Sequence, residues 1–176
     1  MSPKIMLAGP QGSGKTTQAK LLAEKLGILF IGAGEVLRKL AQEETEEGRN
    51  IKAELDKGEL VDNQLMADLI KKEMEGSEAS KGFITDGYPR SLDQIGNFSP
   101  DFTKVFYLEL SDEEAEKRLL LRNRGDDTPE AIRERLSIYH QLTEPVLEFY
   151  QNQGKLVRID GSGTIEEVAQ AIQSRL

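Results

Sequence analysis

One string constrains this chain before any other. Residues 9–18 read GPQGSGKTTQ and follow directly on the apolar run IMLA. Gly9, four residues, then Gly14-Lys15-Thr16 satisfy G-x-x-x-x-G-K-[ST], and an apolar strand before with an amphipathic helix after is the setting that pattern requires. The glycines let backbone N–H groups converge on phosphate oxygens, and the helix opening near Lys15 adds its positive end. Lys15 can reach β- and γ-phosphates, and the Thr16 hydroxyl can join a Mg²⁺ shell. A nucleoside triphosphate is the expected occupant. A strand ending in such a loop belongs to a parallel sheet covered by helices, and the rest of the chain supplies one. Apolar runs at 4–8, 28–31, 82–85, 104–110 and 155–159 alternate with helical patterns. The expected fold class is therefore α/β, a P-loop three-layer α/β/α sandwich on a five-stranded parallel sheet, with all 176 residues in one domain.

Several helices announce their ends. Ala19, Leu22, Ala23 and Leu26 fall at i, i+3, i+4, i+7, and Gly27 supplies a stop. Ser111 with Glu114 and Thr164 with Glu167 have capping-box spacing, and Thr128-Pro129 reads as an N-cap followed by N1. Pro145 is expected to kink or divide the helical stretch from 129 to about 152. The polar stretch 32–61 is too long for a plain connection and reads as a small mobile helical insert with glycine breaks at Gly48 and Gly58.

A phosphate loop does not by itself say where the phosphoryl group goes. GFITDGYPRSLDQ, residues 82–94, puts Asp86 at the carboxyl end of the third strand, where open α/β sheets bind ligands. Asp86 can orient Mg²⁺-bound water, and Arg90, held by the Gly87-Tyr88-Pro89 turn, can offer its planar fork to a second phosphate. Against 23 Lys and Arg stand 31 Asp and Glu, a net charge of −8, which repels a nucleic-acid backbone or an anionic membrane but not a small anion in a local basic pocket. The absence of cysteine excludes disulfides and thiolate metal sites and fits a reducing compartment. With no signal layout in MSPKIMLAG and no apolar run of membrane-spanning length, a cytoplasmic location is expected.

Six segments in order, GPQGSGKTTQAKLLAEKLG, IGAGEVLRKLA (31–41), GELVDNQLMADLI (58–70), DGYPRSLDQ (86–94), RLLLRNRGDD (118–127) and AIRERLSIYHQLTEPVLEFY (131–150), resemble the nucleoside monophosphate kinases, and within them the adenylate kinase family. The resemblance implies reversible Mg²⁺-dependent transfer of the ATP γ-phosphoryl group to AMP, giving two ADP. It makes 32–61 the monophosphate-binding subdomain and puts the ATP phosphates on Gly12, Ser13, Gly14, Lys15, Thr16 and Thr17. Arg38 and Arg90 become clamps on the acceptor phosphate, and Gln94 reads its adenine. Ala33, Gly58, Leu60, Val61 and Gly87 line the AMP site. Lys15, Arg90, Arg124 and Arg135, with Asp86, form the implied catalytic set, and Arg122 stacks on the donor adenine. Read from the residues alone, the GSG turn after the last strand either lets backbone at Gly163 approach that adenine or is a plain turn before the Thr164 cap. Thr16 and Asp86 are the implied Mg²⁺ contacts, direct or through water. The implied partners are ATP and AMP, with no nucleic acid and no membrane, and the default state is a monomer. Arg118, Arg122, Arg124, Arg133 and Arg135 could instead form a solvated face paired with acids such as Glu130 and Glu134; that reading is kept for Arg133, while Arg118 also matches a family position, its role left open.

Three departures from the family matter. RNRGDD leaves room only for a turn near 123–127 where many relatives insert a separate lid, so some ATP hydrolysis and a looser choice of donor base are expected. No cysteine means no lid zinc. GAGE at 32–35 lacks a hydroxyl at Ala33 and is closer to UMP/CMP kinases, whereas Ser91 and Gln94 follow the adenylate pattern; adenine stands first and a pyrimidine or broad acceptor range is the alternative. Thr16 replaces a common Gly, and Gln11 a Pro.

The remaining features bear on rival classes. DQIG at 93–96 fits the D-x-x-G of a switch GTPase, but no Asn-Lys-x-Asp string follows it. Arg124-Gly125-Asp126 spells an adhesion tripeptide by chance. His140, the only histidine, is expected to be structural, and Phe149 and Tyr150 belong to the core.

Overall fold

The structure is a computed structural model that describes residues 2–122, 124, 125 and 127–176. In chain order the elements are β1 (Lys4–Ala8), α1 (Lys15–Leu26), β2 (Leu29–Gly32), α2 (Ala33–Leu40), α3 (Glu46–Lys57), α4 (Asn63–Glu73), β3 (Phe83–Asp86), α5 (Leu92–Asn97), β4 (Lys104–Glu109), α6 (Asp112–Arg122), α7 (Pro129–Ile138), α8 (Glu144–Asn152), β5 (Leu156–Asp160) and α9 (Ile165–Gln173). A single 3-10 turn at Ala79–Lys81 leads into β3, and a π-helical turn at Tyr139–Thr143 joins α7 to α8.

The five strands are all parallel, in the order β2-β3-β1-β4-β5. Strands at the centre of such a sheet are covered on both faces, so they read as continuous apolar runs. Along β1, Ile5 and Leu7 enter one core with Ala19, Leu22, Phe106 and Val168, and Met6 and Ala8 enter another with Ile31, Val105, Val146 and Tyr150. A third, smaller cluster of Ala115, Leu119, Ile132 and Leu136 locks α6 to α7. The chain leaves β1 toward β2 and leaves β3 toward β4, so the loops after β1 and β3 diverge and open a crevice between them. Register pairs Leu7 with Asp86, which sets the carboxyl end of β3 beside the phosphate loop.

The expected strands all form, with several edges one residue later than the sequence suggests. Ile28 closes the end of α1 by donating to Ala23 O, and Gly82, at φ +125°, turns the chain into β3. Thr164 and Glu167 complete a capping box, and Thr128 accepts from Ala131 N with Pro129 opening α7. Ser111 accepts from Glu114 N, but the Glu114 carboxylate bonds Arg118 instead of returning to the cap, so only half the expected box is present. Pro145 divides the long helical stretch as expected. It has no N–H for the preceding turn, and Glu144 N donates five residues back to Tyr139 O.

Gly48 does not break the insert. It lies buried in the first turn of α3, where its N–H meets the Thr45 cap. A Cβ there would lie 2.5 Å from Glu43 O and 2.7 Å from Leu40 O, so the glycine serves close packing. The break falls at 41–45 instead. Gly58, with φ +81°, does end α3. Tyr150 packs against Phe102 in the core, as expected, and Phe149, partly buried, packs edge-on against Tyr150 at the margin of that core.

Candidate active site

The crevice widens into a cleft with the phosphate loop on one side and α2, α3 and the start of α4 on the other. Gly9 has φ +142°, and a Cβ on it would sit 2.5 Å from Leu108 O; Gly12 has φ +86°, with Ala115 O at 2.8 Å. Only glycine lets the loop pass this close to β4 and α6. No side chain caps the N-terminus of α1, whose N-cap is Gly14, so its first-turn N–H groups face the cleft with the dipole behind them. Lys15 folds back onto the loop and donates to Gly9 O and Pro10 O, each at 2.7 Å. Desolvation pulls its pKa down to about 8, with Asp86 opposing and Arg90 and Arg122 adding to the fall. Thr16 Oγ1 donates to Asp86 Oδ2.

Arg90 is held on three sides. Its N–H donates to Gln94 Oε1 at 2.7 Å, its Nε donates to Gly87 O at 2.9 Å, and its carbonyl accepts from Thr143 at 2.8 Å. Gly87 has φ +82°, which favours glycine, and a Cβ there would also push on the Arg90 guanidinium at 2.9 Å. Burial lowers the Arg90 pKa; Asp86 raises it, and Arg135 and Arg38 lower it again, so these cations share one field. Arg38 lies one turn along α2 over Gly34, whose absent side chain leaves the room. Gln94 is buried, and its Oε1, taken up by Arg90 N–H, leaves the amide NH₂ as the group that can face a ligand.

At the far end Asp127 gathers two arginines. Arg122 reaches it with Nε and Nη2, both at 2.8 Å, and Arg135 Nη1 bonds the same carboxylate at 2.8 Å. Arg135 also donates to Leu55 O at 3.3 Å, tying α7 to α3. Arg118 bonds Glu114 and the carbonyls of Gly161 and Ser162, fastening α6 to the loop after β5.

Among the described residues seven cationic side chains, Lys15, Arg38, Arg90, Arg118, Arg122, Arg124 and Arg135, line this one cleft with three carboxylates, Glu35, Glu59 and Asp86. A chain of net charge −8 thus concentrates positive charge here, which suits a polyanion running from the loop to the insert. Gly12, Gly14, Thr16, Thr17, Ala33, Leu60, Val61, Gly87 and Gln94 line it too. Three expected residues do not. Ser13 is buried beneath the loop, and Gly163 packs against Glu167 beyond the rim. Gly58 abuts α7, where a Cβ would lie 2.6 Å from Ala131 O.

Asp127 and Thr143 are supporting residues that sequence reasoning passes over, and Arg118, whose role it leaves open, is a third. Only the Asp-Asp pair before Thr128 hints at the first. The lid turn falls partly outside the described residues, since Asn123 and Asp126 are among those not described, and the Arg124-Gly125-Asp126 string is affected likewise. DQIG lies within α5, so its Asp93 does not end a strand. His140 is half-exposed and bridges Asp112 and Glu144. Among the described residues no three His, Cys, Asp or Glu groups could hold a metal, and no helix is long and apolar enough to cross a membrane.

Residues 7–155 match the family model described as Adenylate kinase. The chain is 38% identical over 183 residues to a protein named Adenylate kinase from Prochlorococcus marinus, covering 100% of this chain and 98% of that one. It is 38% identical over 180 residues to Adenylate kinase 1 of Nostoc sp., covering 98% of each. It is 40% identical over 176 residues to Adenylate kinase 1 of Synechocystis sp., covering 96% of this chain and 94% of that one.

Proposed function

The chain belongs to the adenylate kinase family, and on that premise we propose how its cleft carries out the family reaction, the transfer of the ATP γ-phosphoryl group to AMP. The observation that carries the reading is the convergence of seven cations on one cleft bounded by the phosphate loop and the 32–61 insert.

The donor triphosphate lies along the loop and the α1 N-terminus, with Arg122 against its base. The acceptor lies on the insert side, its phosphate between Arg38 and Arg90 and its base against Leu60 and Val61, with the Gln94 amide facing the ring. An acceptor phosphate oxygen attacks the γ-phosphorus in line as the bond to the β–γ bridging oxygen breaks. Charge moves across three equatorial oxygens, and Lys15, Arg124 and Arg135 are the groups placed to follow it. To do so Lys15 leaves the Gly9 and Pro10 carbonyls for the phosphates. The acceptor is already anionic, so no general base is needed.

The donor set fits a Mg²⁺ ion that keeps most of its shell from phosphates and water: a hydroxyl and a carboxylate, Thr16 and Asp86, stand in direct contact. When bound with ATP, such an ion neutralises the β- and γ-oxygens. Residues 32–61 act as the monophosphate-binding subdomain and close toward the loop, with the lid reduced to the turn near 123–127. We place the protein in the cytoplasm as a monomer. The buried, hydroxyl-free Ala33 at the cleft wall favours a second reading with a wider acceptor range.

Phosphorus NMR of Mg²⁺-ATP with AMP, CMP, UMP, GMP or no acceptor tests this directly. Rapid ADP formation with AMP alone is expected, with slow release of free phosphate in the acceptor-free tube. Preference for CMP or UMP would move the acceptor assignment to the Ala33 segment. Free phosphate in every tube, with no acceptor phosphorylated, would overturn the kinase reading.

A further inference from the structure

The first helix of the insert carries a carboxylate, Glu35, and a guanidinium, Arg38, three residues apart, and both line the cleft. At that spacing, with the acid on the N-terminal side, the two are natural partners along the helix. The structure gives Glu35 a different one. Its Oε1 lies 2.6 Å from Lys20 Nζ, on the helix that follows the phosphate loop, while the Arg38 side chain lies over Gly34, where a Cβ would meet Nη1 at 2.9 Å.

Lys20 is held from two sides. Its ammonium also lies 5.3 Å from the centroid of the Phe30 ring, on the edge strand β2. Gly32 makes room for this grouping, since a Cβ on it would meet the Phe30 ring at 2.8 and 3.0 Å and Glu35 Cγ at 3.5 Å. Its φ of −98° is open to any residue, so glycine stands there for space. The two glycines of GAGE thus have separate uses: Gly32 lets Phe30 and Glu35 converge on Lys20, and Gly34 seats Arg38.

The acceptor monophosphate is an anion, and a carboxylate within reach of Arg38 competes with it for the same fork. Without Lys20, Glu35 has Arg38 as its nearest cation along the helix and adds repulsion against the incoming phosphate. We propose that Lys20 is a positioning residue for the acceptor: by holding Glu35 it keeps the Arg38 guanidinium open to the monophosphate. Lys20 is not part of the cleft lining and acts only through Glu35. With Lys20 and Glu35 52% and 44% exposed, water screens the pair, so the effect is the few-fold change in KM that a surface ion pair supports.

The inference rests on the reading that Arg38 clamps the acceptor phosphate. Lys20→Met keeps an apolar stem against Phe30 and removes the ammonium. At low ionic strength it should raise KM for AMP about 2–5-fold, with kcat and KM for ATP moving less than about 1.5-fold. The rise should fade in about 0.5 M salt. Glu35→Gln should not raise KM for AMP, and adding Lys20→Met to it should bring no further change, because the carboxylate that Lys20 restrains is gone. An equal rise on both backgrounds would make Lys20 a plain distant cation and overturn the proposal, as would an unchanged KM in Lys20→Met or a raised one in Glu35→Gln. A crystal structure of Lys20→Met is the independent readout. Glu35 is expected within about 4 Å of the Arg38 guanidinium, and a Glu35 that stays clear of Arg38 would refute the competition. Failure of the wild-type protein to phosphorylate AMP at all would strike the functional reading, and that structure would still decide the pairing.

Discussion

Replacing Asp127 by Asn keeps the size of the side chain and removes its charge. That carboxylate is fully buried, with 0% side-chain exposure, and it accepts from Arg122 and Arg135, whose side chains are 33% and 9% exposed. Desolvation pulls the Asp127 pKa up, and the hydrogen bonds and charges of Arg122 and then Arg135 more than reverse this, so the folded pKa is depressed. Removing one partner from a buried pair costs about 3–5 kcal/mol. Asn can still accept one hydrogen bond and Arg122 can recover some hydration, which points to the lower end, about 3 kcal/mol. At this chain length each kcal/mol lowers Tm by about 2–4 °C, so calorimetry at neutral pH should find Asp127→Asn melting about 6–12 °C below wild type. A depressed carboxylate pKa gives stability that is present above the unfolded value of about 3.9 and lost as pH falls through the folded value. The gap between the proteins should therefore close in acid. A difference under about 2 °C at neutral pH, or one that does not narrow in acid, would refute the reasoning.

Gly58→Ala places a Cβ 2.6 Å from Ala131 O at φ +81°, and should cost about 2 kcal/mol or more, read as a lower denaturation midpoint in urea. His140 has a raised pKa, with the Asp112 hydrogen bond the largest cause and the Glu144 hydrogen bond next. Its contribution is full below the unfolded value of about 6.5 and fades as pH rises through the folded one, so His140→Gln should destabilise more at pH 5.5 than at pH 8.5. With all three side chains about half exposed the effect stays below about 1 kcal/mol, and thermal melts at the two pH values measure it. Lys15→Ala and Arg124→Ala should each lower kcat about 10²–10³-fold in a coupled ADP assay, whereas Arg38→Ala should chiefly raise KM for AMP. Undiminished kcat in Arg124→Ala would remove that residue from the transferring-group set.

The sheet was legible because parallel strands are buried on both faces and announce themselves as apolar runs, and because the phosphate loop fixes what must precede and follow it. Gly27, Thr128-Pro129 and the Thr164 capping box were legible for a similar reason: each acts on backbone within a few residues. Gly48 was misread because a glycine demanded by close packing against Glu43 O and Leu40 O looks, in sequence, like one demanded by a turn. Asp127 was passed over because its value comes from losing water between Arg122 and Arg135, and burial of one particular acid among 31 carries no local signal. The brace of Arg90 by Thr143 spans 53 residues and depends on the π-helical turn, which Pro145 hinted at without specifying.

The most direct test of the central claim gives the protein a single nucleotide. Purified protein is incubated with Mg²⁺-ADP alone and followed by phosphorus NMR. An enzyme that moves a phosphoryl group between two nucleotides held in one cleft must convert part of the ADP into ATP and AMP in equal amounts, well ahead of any slow release of free phosphate. Unchanged ADP, or AMP appearing with free phosphate and no ATP, would contradict it.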